Sequence, residues 1–60
     1  MIVQVHQDPR YYEPQNLIPD GTILKVVKQF WHYRVLTAVH VLYKNRDIML
    51  WMLDVDVIEN

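Results

Sequence analysis

Three histidines, His6, His32 and His40, and the closely spaced Asp54 and Asp56 are the residues best suited to move a proton or hold a metal. Their spacing argues against both roles. His32 and His40 are eight residues apart, roughly 26 Å at ~3.3 Å per residue of extended chain, too far to share an ion. His6 falls in another segment altogether. Asp54 and Asp56 point to one side of a strand or turn, but a hard cation needs more oxygens than this segment supplies. The two aspartates are therefore expected to face the basic strands. The sixty residues include no cysteine and no serine, which removes most covalent nucleophiles, thiolate metal sites and disulfides. Thr22 and Thr37 sit in predicted strands, where threonine usually serves packing. A single glycine cannot build a phosphate-cradling loop. No catalysis, metal, cofactor or small-molecule substrate is expected.

Binding is what remains, and the charges are sorted along the chain. From Gly21 to Arg46 there are five cations, Lys25, Lys28, Arg34, Lys44 and Arg46, and no acid. From Asp47 to Asn60 there are four acids, Asp47, Asp54, Asp56 and Glu59, and no base, within a net charge of -1. The plain expectation is that basic middle strands lie beside an acidic last strand and the charges meet across the sheet. The sharper one is a basic face for an anionic partner.

Nine valines, five isoleucines and two threonines against one alanine favour an all-β chain of one domain, residues 1–60. The longest apolar run, Ile48 to Leu53, is six residues, against the ~20 that cross a bilayer. Met1 to His6 is too short and too alternating for a secretory signal. A soluble, cytoplasmic protein without membrane contact is expected. The predicted strands are Ile2 to Gln7, Thr22 to Phe30, Tyr33 to Lys44, Ile48 to about Leu53, and Val55 to Glu59. Asp8 to Gly21 holds all three prolines and the only glycine and reads as an irregular loop, closed by a Pro19-Asp20-Gly21 turn.

The odd positions of the third predicted strand, from Tyr33 to Tyr43, form one apolar stripe. Met49, Trp51, Leu53, Val55 and Val57 form another. A three-residue loop, Asn45-Arg46-Asp47, would pair Val41 with Trp51 and Val39 with Leu53 on one core face. A link at Trp31-His32 would add Leu24, Val26 and Phe30 to it. The opposite face, with Trp31, Leu36, Leu42, Ile48, Leu50 and Met52, would then be apolar too and need a cover. Either the chain's own loop supplies that cover, or another molecule does.

This order of strand, long Pro-rich loop, Asp-Gly turn, three-stranded meander and short terminal strand resembles the Src-homology-3 (SH3)-like small barrels. The stretch Ile48 to Glu59 is similar to how those barrels close, through a single helical turn. The resemblance implies a five-stranded antiparallel SH3-like barrel or strongly bent meander. In its peptide-binding members an aromatic pair and a tryptophan line the ligand site, roles open here to Tyr11, Tyr12 and Trp31. The proline those members carry in the final turn is absent from Leu53-Asp54-Val55-Asp56, so only the fold is carried over.

The leading expectation is a non-enzymatic interaction module, of the kind small viral or accessory regulators are. It binds a larger protein or itself through Trp31, Leu36, Leu42, Ile48, Leu50 and Met52, with Tyr11 and Tyr12 as further candidates. On this reading Leu50→Asp would release a monomer. The alternative is a nucleic-acid-binding barrel. There Lys25, Lys28, Arg34, Lys44 and Arg46 follow a phosphate backbone while Phe30, Trp31, Tyr33 and Tyr43 stack on bases.

Overall fold

Alternation of β-branched and polar residues yields five strands in the computed structural model, which describes residues 1–60. They are β1 (Ile2–Val5), β2 (Ile23–His32), β3 (Val35–Tyr43), β4 (Arg46–Trp51) and β5 (Val55–Glu59). Each has its counterpart among the predicted strands, with ends displaced by at most two residues. All pairings are antiparallel within one sheet of order β4-β3-β2-β1-β5. The fold is all-β, and its only helical pieces are single 3-10 turns at Pro9–Tyr11, Pro14–Asn16 and Met52–Asp54. The sheet curls over one core but does not close into a barrel, since its edge strands β4 and β5 do not pair.

That core joins both wings of the sheet. Val3 and Val5 of β1, Val39 and Val41 of β3 and Leu50 of β4 are fully buried, with Ile48, Val55 and the loop residue Ile18 beside them. The chain between β1 and β2 is stitched down at several points. The Gln7 amide donates to the Asn16 carbonyl (2.8 Å) and accepts from the Ile18 N–H (2.6 Å). Arg46 reaches across from β4 to the Gln15 carbonyl at 2.6 Å. The predicted turn is present. Thr22 N–H donates to Pro19 O at 3.1 Å, and Gly21 takes a φ of +85°, open to glycine without strain.

The register of β4 differs from the prediction. The turn is Lys44-Asn45, two residues with φ of 52° and 65°, so Val41 pairs with Ile48 and Val39 with Leu50. A two-residue turn of this hand matches the twist of the strands it joins. Changing the loop from three residues to two exchanges the faces of β4. Ile48 and Leu50 enter the core, whereas Met49 and Trp51 are exposed. The cover predicted for Leu50 is therefore the chain itself.

The β2–β3 turn also moves, to Tyr33-Arg34, with Tyr33 at φ 56°. The register slips twice along this pair, at Val27 in β2 and at Thr37 in β3. Leu24 and Val26, before the first slip, pack on the core as expected. Past that slip the alternation of β2 reverses. Phe30 accordingly meets His40 edge-to-face on the other surface, with centroids 4.6 Å apart.

Candidate functional site

The sequence turns a corner where β4 ends, and this corner carries the most exposed apolar surface near any concavity. The 3-10 turn Met52–Asp54 breaks the strand alternation, so Met52 packs on the core while Leu53 swings out to 97% exposure. Trp51, just before it, is half exposed. The Pro-rich loop is pinned alongside by Tyr12. Its hydroxyl accepts from the Trp51 N–H (3.1 Å) and donates to Asp54 Oδ2 (2.8 Å). Burial raises the Tyr12 pKa to about 12, with the Asp54 carboxylate adding to the rise and the Trp51 N–H opposing it. Tyr12 thus acts as a neutral strut, and its neighbour Tyr11 is left turned outward, 70% exposed.

A hollow of about 410 Å³ lies between Asp8, Tyr11, Trp51, Leu53 and Asp54. A second adjoins it beside Glu13, Asp47 and Met49, and a third beside Val35, Leu36 and Met52. Trp51 borders all three. The result is an interrupted groove with an aromatic floor and carboxylates along its rim. Asp8 is already matched by Arg10, at 2.7 Å, and hydrogen bonding from Arg10 holds its carboxyl below the usual range. Glu13, Asp47 and Asp54 have no lysine or arginine among the ion pairs.

The predicted interface residues do not come together. Ile48 and Leu50 are core residues, and Leu36 and Met52 are half-buried against that core. Trp31 and Leu42 remain exposed at separate places: Trp31 pairs with Leu36 near the β2–β3 turn, and Leu42 pairs with Asp47 near the β3–β4 turn. Of the two loop tyrosines, Tyr11 is exposed with the Arg10 guanidinium 5.5 Å from its ring centroid, and Tyr12 is structural. Trp51 and Leu53, assigned by sequence to the core, are the residues missed. The signal that would have found them is Lys44-Asn45, because asparagine tolerates the left-handed backbone of a two-residue hairpin turn.

The five cations do not share a face either. Arg34 and Lys44 sit in turns at opposite ends of β3. Arg46 is committed to the loop, Lys28 lies 5.0 Å from the Phe30 ring centroid, and Lys44 lies 5.4 Å from that of Tyr43. The acidic last strand is not beside the basic ones, because β1 stands between β5 and β2. Asp54 and Asp56 accordingly do not face basic strands: Asp54 takes the Tyr12 hydroxyl, and Asp56 lies 3.4 Å from His6 Nε2. The three histidines are dispersed. His6 sits between Asp20 and Asp56, His40 lies beside Asp47 and Phe30, and His32 lies against Tyr33.

No family model, curated protein or solved structure matches the chain.

Proposed function

We propose that this protein is a non-enzymatic interaction module that holds a segment of a larger protein against Trp51, Tyr11 and Leu53. One observation carries the reading. A leucine 97% exposed sits beside a half-exposed tryptophan at the meeting point of three hollows, in a chain whose core is complete without them. Exposed aromatic and aliphatic side chains in a concave setting are what binding hot spots are made of. The carboxylates at the rim favour a partner segment that is apolar with a basic residue beside it. The strand order and the 3-10 turn before β5 support the SH3-like reading of this frame. The cytoplasm and a regulatory role on a host protein remain part of the proposal.

A photo-crosslinking residue at position 53, compared with one at position 44 on the far turn, tests this in the native host. The expected result is one protein captured at 53 and not at 44. That protein, once purified, should bind the chain, and Leu53→Asp and Trp51→Ala should each weaken binding at least ~10-fold. Equal capture at both positions, or affinity unchanged in both variants, would overturn it. Anisotropy titrations with oligonucleotides give the alternative its chance. Binding whose logarithm falls steeply with the logarithm of salt would favour nucleic acid instead.

A further inference from the structure

β2 is ten residues long, but β1 pairs with only its first three, Ile23 to Lys25. The Val26 N–H still reaches the Met1 carbonyl at 2.9 Å. Beyond it, from Val27 to His32, no strand lies on that side of β2. An unpaired run of backbone donors and acceptors is a template for another strand unless it is blunted. The other two edges of the sheet are blunted. On β4 the Tyr12 hydroxyl occupies the Trp51 N–H and Arg46 is bound to the loop. On β5 the acids Asp56 and Glu59 are exposed, and Asp56 is engaged by His6. The β2 edge has no acid, no proline and no covering segment. Its one formal charge, Lys28, is drawn over its own Phe30 ring. Val27 and Trp31 are 62% and 58% exposed.

We infer that a second copy of this chain pairs with this edge, antiparallel over Val27–Trp31 and related by a two-fold axis at Gln29. The segment is complementary to itself under that operation. Val27 falls opposite the partner's Trp31, a β-branched residue against an aromatic, which is a favourable cross-strand pair. Lys28 falls opposite the partner's Phe30, repeating between chains the cation–ring contact made within one. Gln29 meets the partner's Gln29, and no like charges are opposed. Because the contact is isologous it closes at two copies, joining two sheets edge to edge. Pairing with the acidic β5 of another copy would instead leave a free β2 and a free β5 at the ends, and growth would be open-ended. This self-pairing is independent of the Trp51 groove, which uses none of the same residues.

Analytical ultracentrifugation of the full chain from about 1 µM to about 1 mM tests the inference. A reversible monomer–dimer equilibrium is expected. Val27→Lys and Trp31→Lys should each weaken it at least ~10-fold with an unchanged circular dichroism spectrum, while Trp51→Ala should leave it intact. Amide hydrogen exchange on the unsubstituted chain reads the same contact without any variant. Protection should rise with concentration within Val27–His32 and stay constant in β4 and β5. A monomer throughout, oligomers beyond the dimer, a dimer indifferent to both lysines, or new protection at β5 would each overturn the inference.

Discussion

On one side of β3, β4 pairs without interruption from Ala38–Trp51 to Tyr43–Arg46. On the other side, β2 slips register twice within seven of its residues, between Val26 and His32. Both hairpins turn in two residues, but at Lys44-Asn45 both take positive φ, whereas at Tyr33-Arg34 only Tyr33 does. The turns differ in type, yet a turn does not set slips that lie three or more residues away along the strands. Burial does. Ile48 and Leu50 alternate into the core, so a slip of one residue in β4 would turn both of them out to water. Past Val26, β2 buries no side chain fully, and bulges there cost little. Regular pairing is enforced where one face is committed to a core. Where it is not, the strand is free to keep aromatic residues and an unpaired edge at the surface.

The largest expected effect sets the two hairpins directly against each other. Leu50 is fully buried among valines and isoleucines. Leu50→Ala should cost ~2–5 kcal/mol, close to the whole ~3–5 kcal/mol that the core of so short a chain supplies. Trp31→Ala, on the exposed hairpin, should stay within about 0.5 kcal/mol at concentrations where the chain is monomeric. Urea denaturation followed by far-UV circular dichroism reads both. Equal shifts in the two midpoints would break the comparison. Leu50→Asp, expected from sequence to dissociate an oligomer, should instead unfold the protein.

A smaller effect concerns how the β4 hairpin is tied to the loop. Tyr12→Phe removes the acceptor for the Trp51 N–H and the donor to Asp54, and should cost about 1 kcal/mol at neutral pH. The pH dependence has a definite sign. The folded-state pKa of Tyr12 lies above its unfolded value of 10.0, at about 12. Its contribution is thus fully present below pH 10 and is lost as the pH rises from 10 through about 12. Because the hydroxyl is only partly withdrawn from water, that loss should be about 1 kcal/mol. Urea midpoints measured across this range should fall in the parent and be flatter in Tyr12→Phe. Parallel curves would assign the alkaline loss to other groups.

How much of this was legible in the sequence divides along the same line. β-branched density and the placement of Pro and Gly give five strands, the long loop and the Pro19–Gly21 turn, because each rests on local backbone preference. Leu24 and Val26 were assignable to the core because they lie before the Val27 slip, and Val39 and Val41 because β3 alternates without a break from Ala38 to Tyr43, where β4 pairs with it. The candidate site was not legible. Trp51 and Leu53 depend on one residue of loop length, which hydrophobic spacing alone leaves open: both parities of Ile48-Met49-Leu50-Trp51-Met52-Leu53 are apolar. Phe30 was misplaced for a different reason, since a bulge at Val27 reflects the absence of a core beneath it and has no composition of its own.

The smallest effect lies in the turns themselves and sharpens the comparison to single residues. Asn45 at φ 65° and Tyr33 at φ 56° share a positive φ, which asparagine adopts more readily than tyrosine. Asn45→Ala should destabilise by ~1 kcal/mol, because alanine meets the Cβ penalty and the rigid β4 register gives the turn nowhere to relax. Tyr33→Asn, at a 90% exposed position, loses almost no buried surface and relieves the same penalty, so it should stabilise by about 0.5 kcal/mol. If the tip is as loosely constrained as its slips imply, the gain will be smaller still, since a pliable hairpin has already spread the strain over its neighbours. Thermal denaturation of the two variants at matched concentration gives both signs. A Tyr33→Asn variant less stable than the parent would mean that Tyr33, through its edge-on contact with His32 (centroids 4.5 Å apart), holds the tip together. The exposed hairpin would then have an order of its own that burial does not provide.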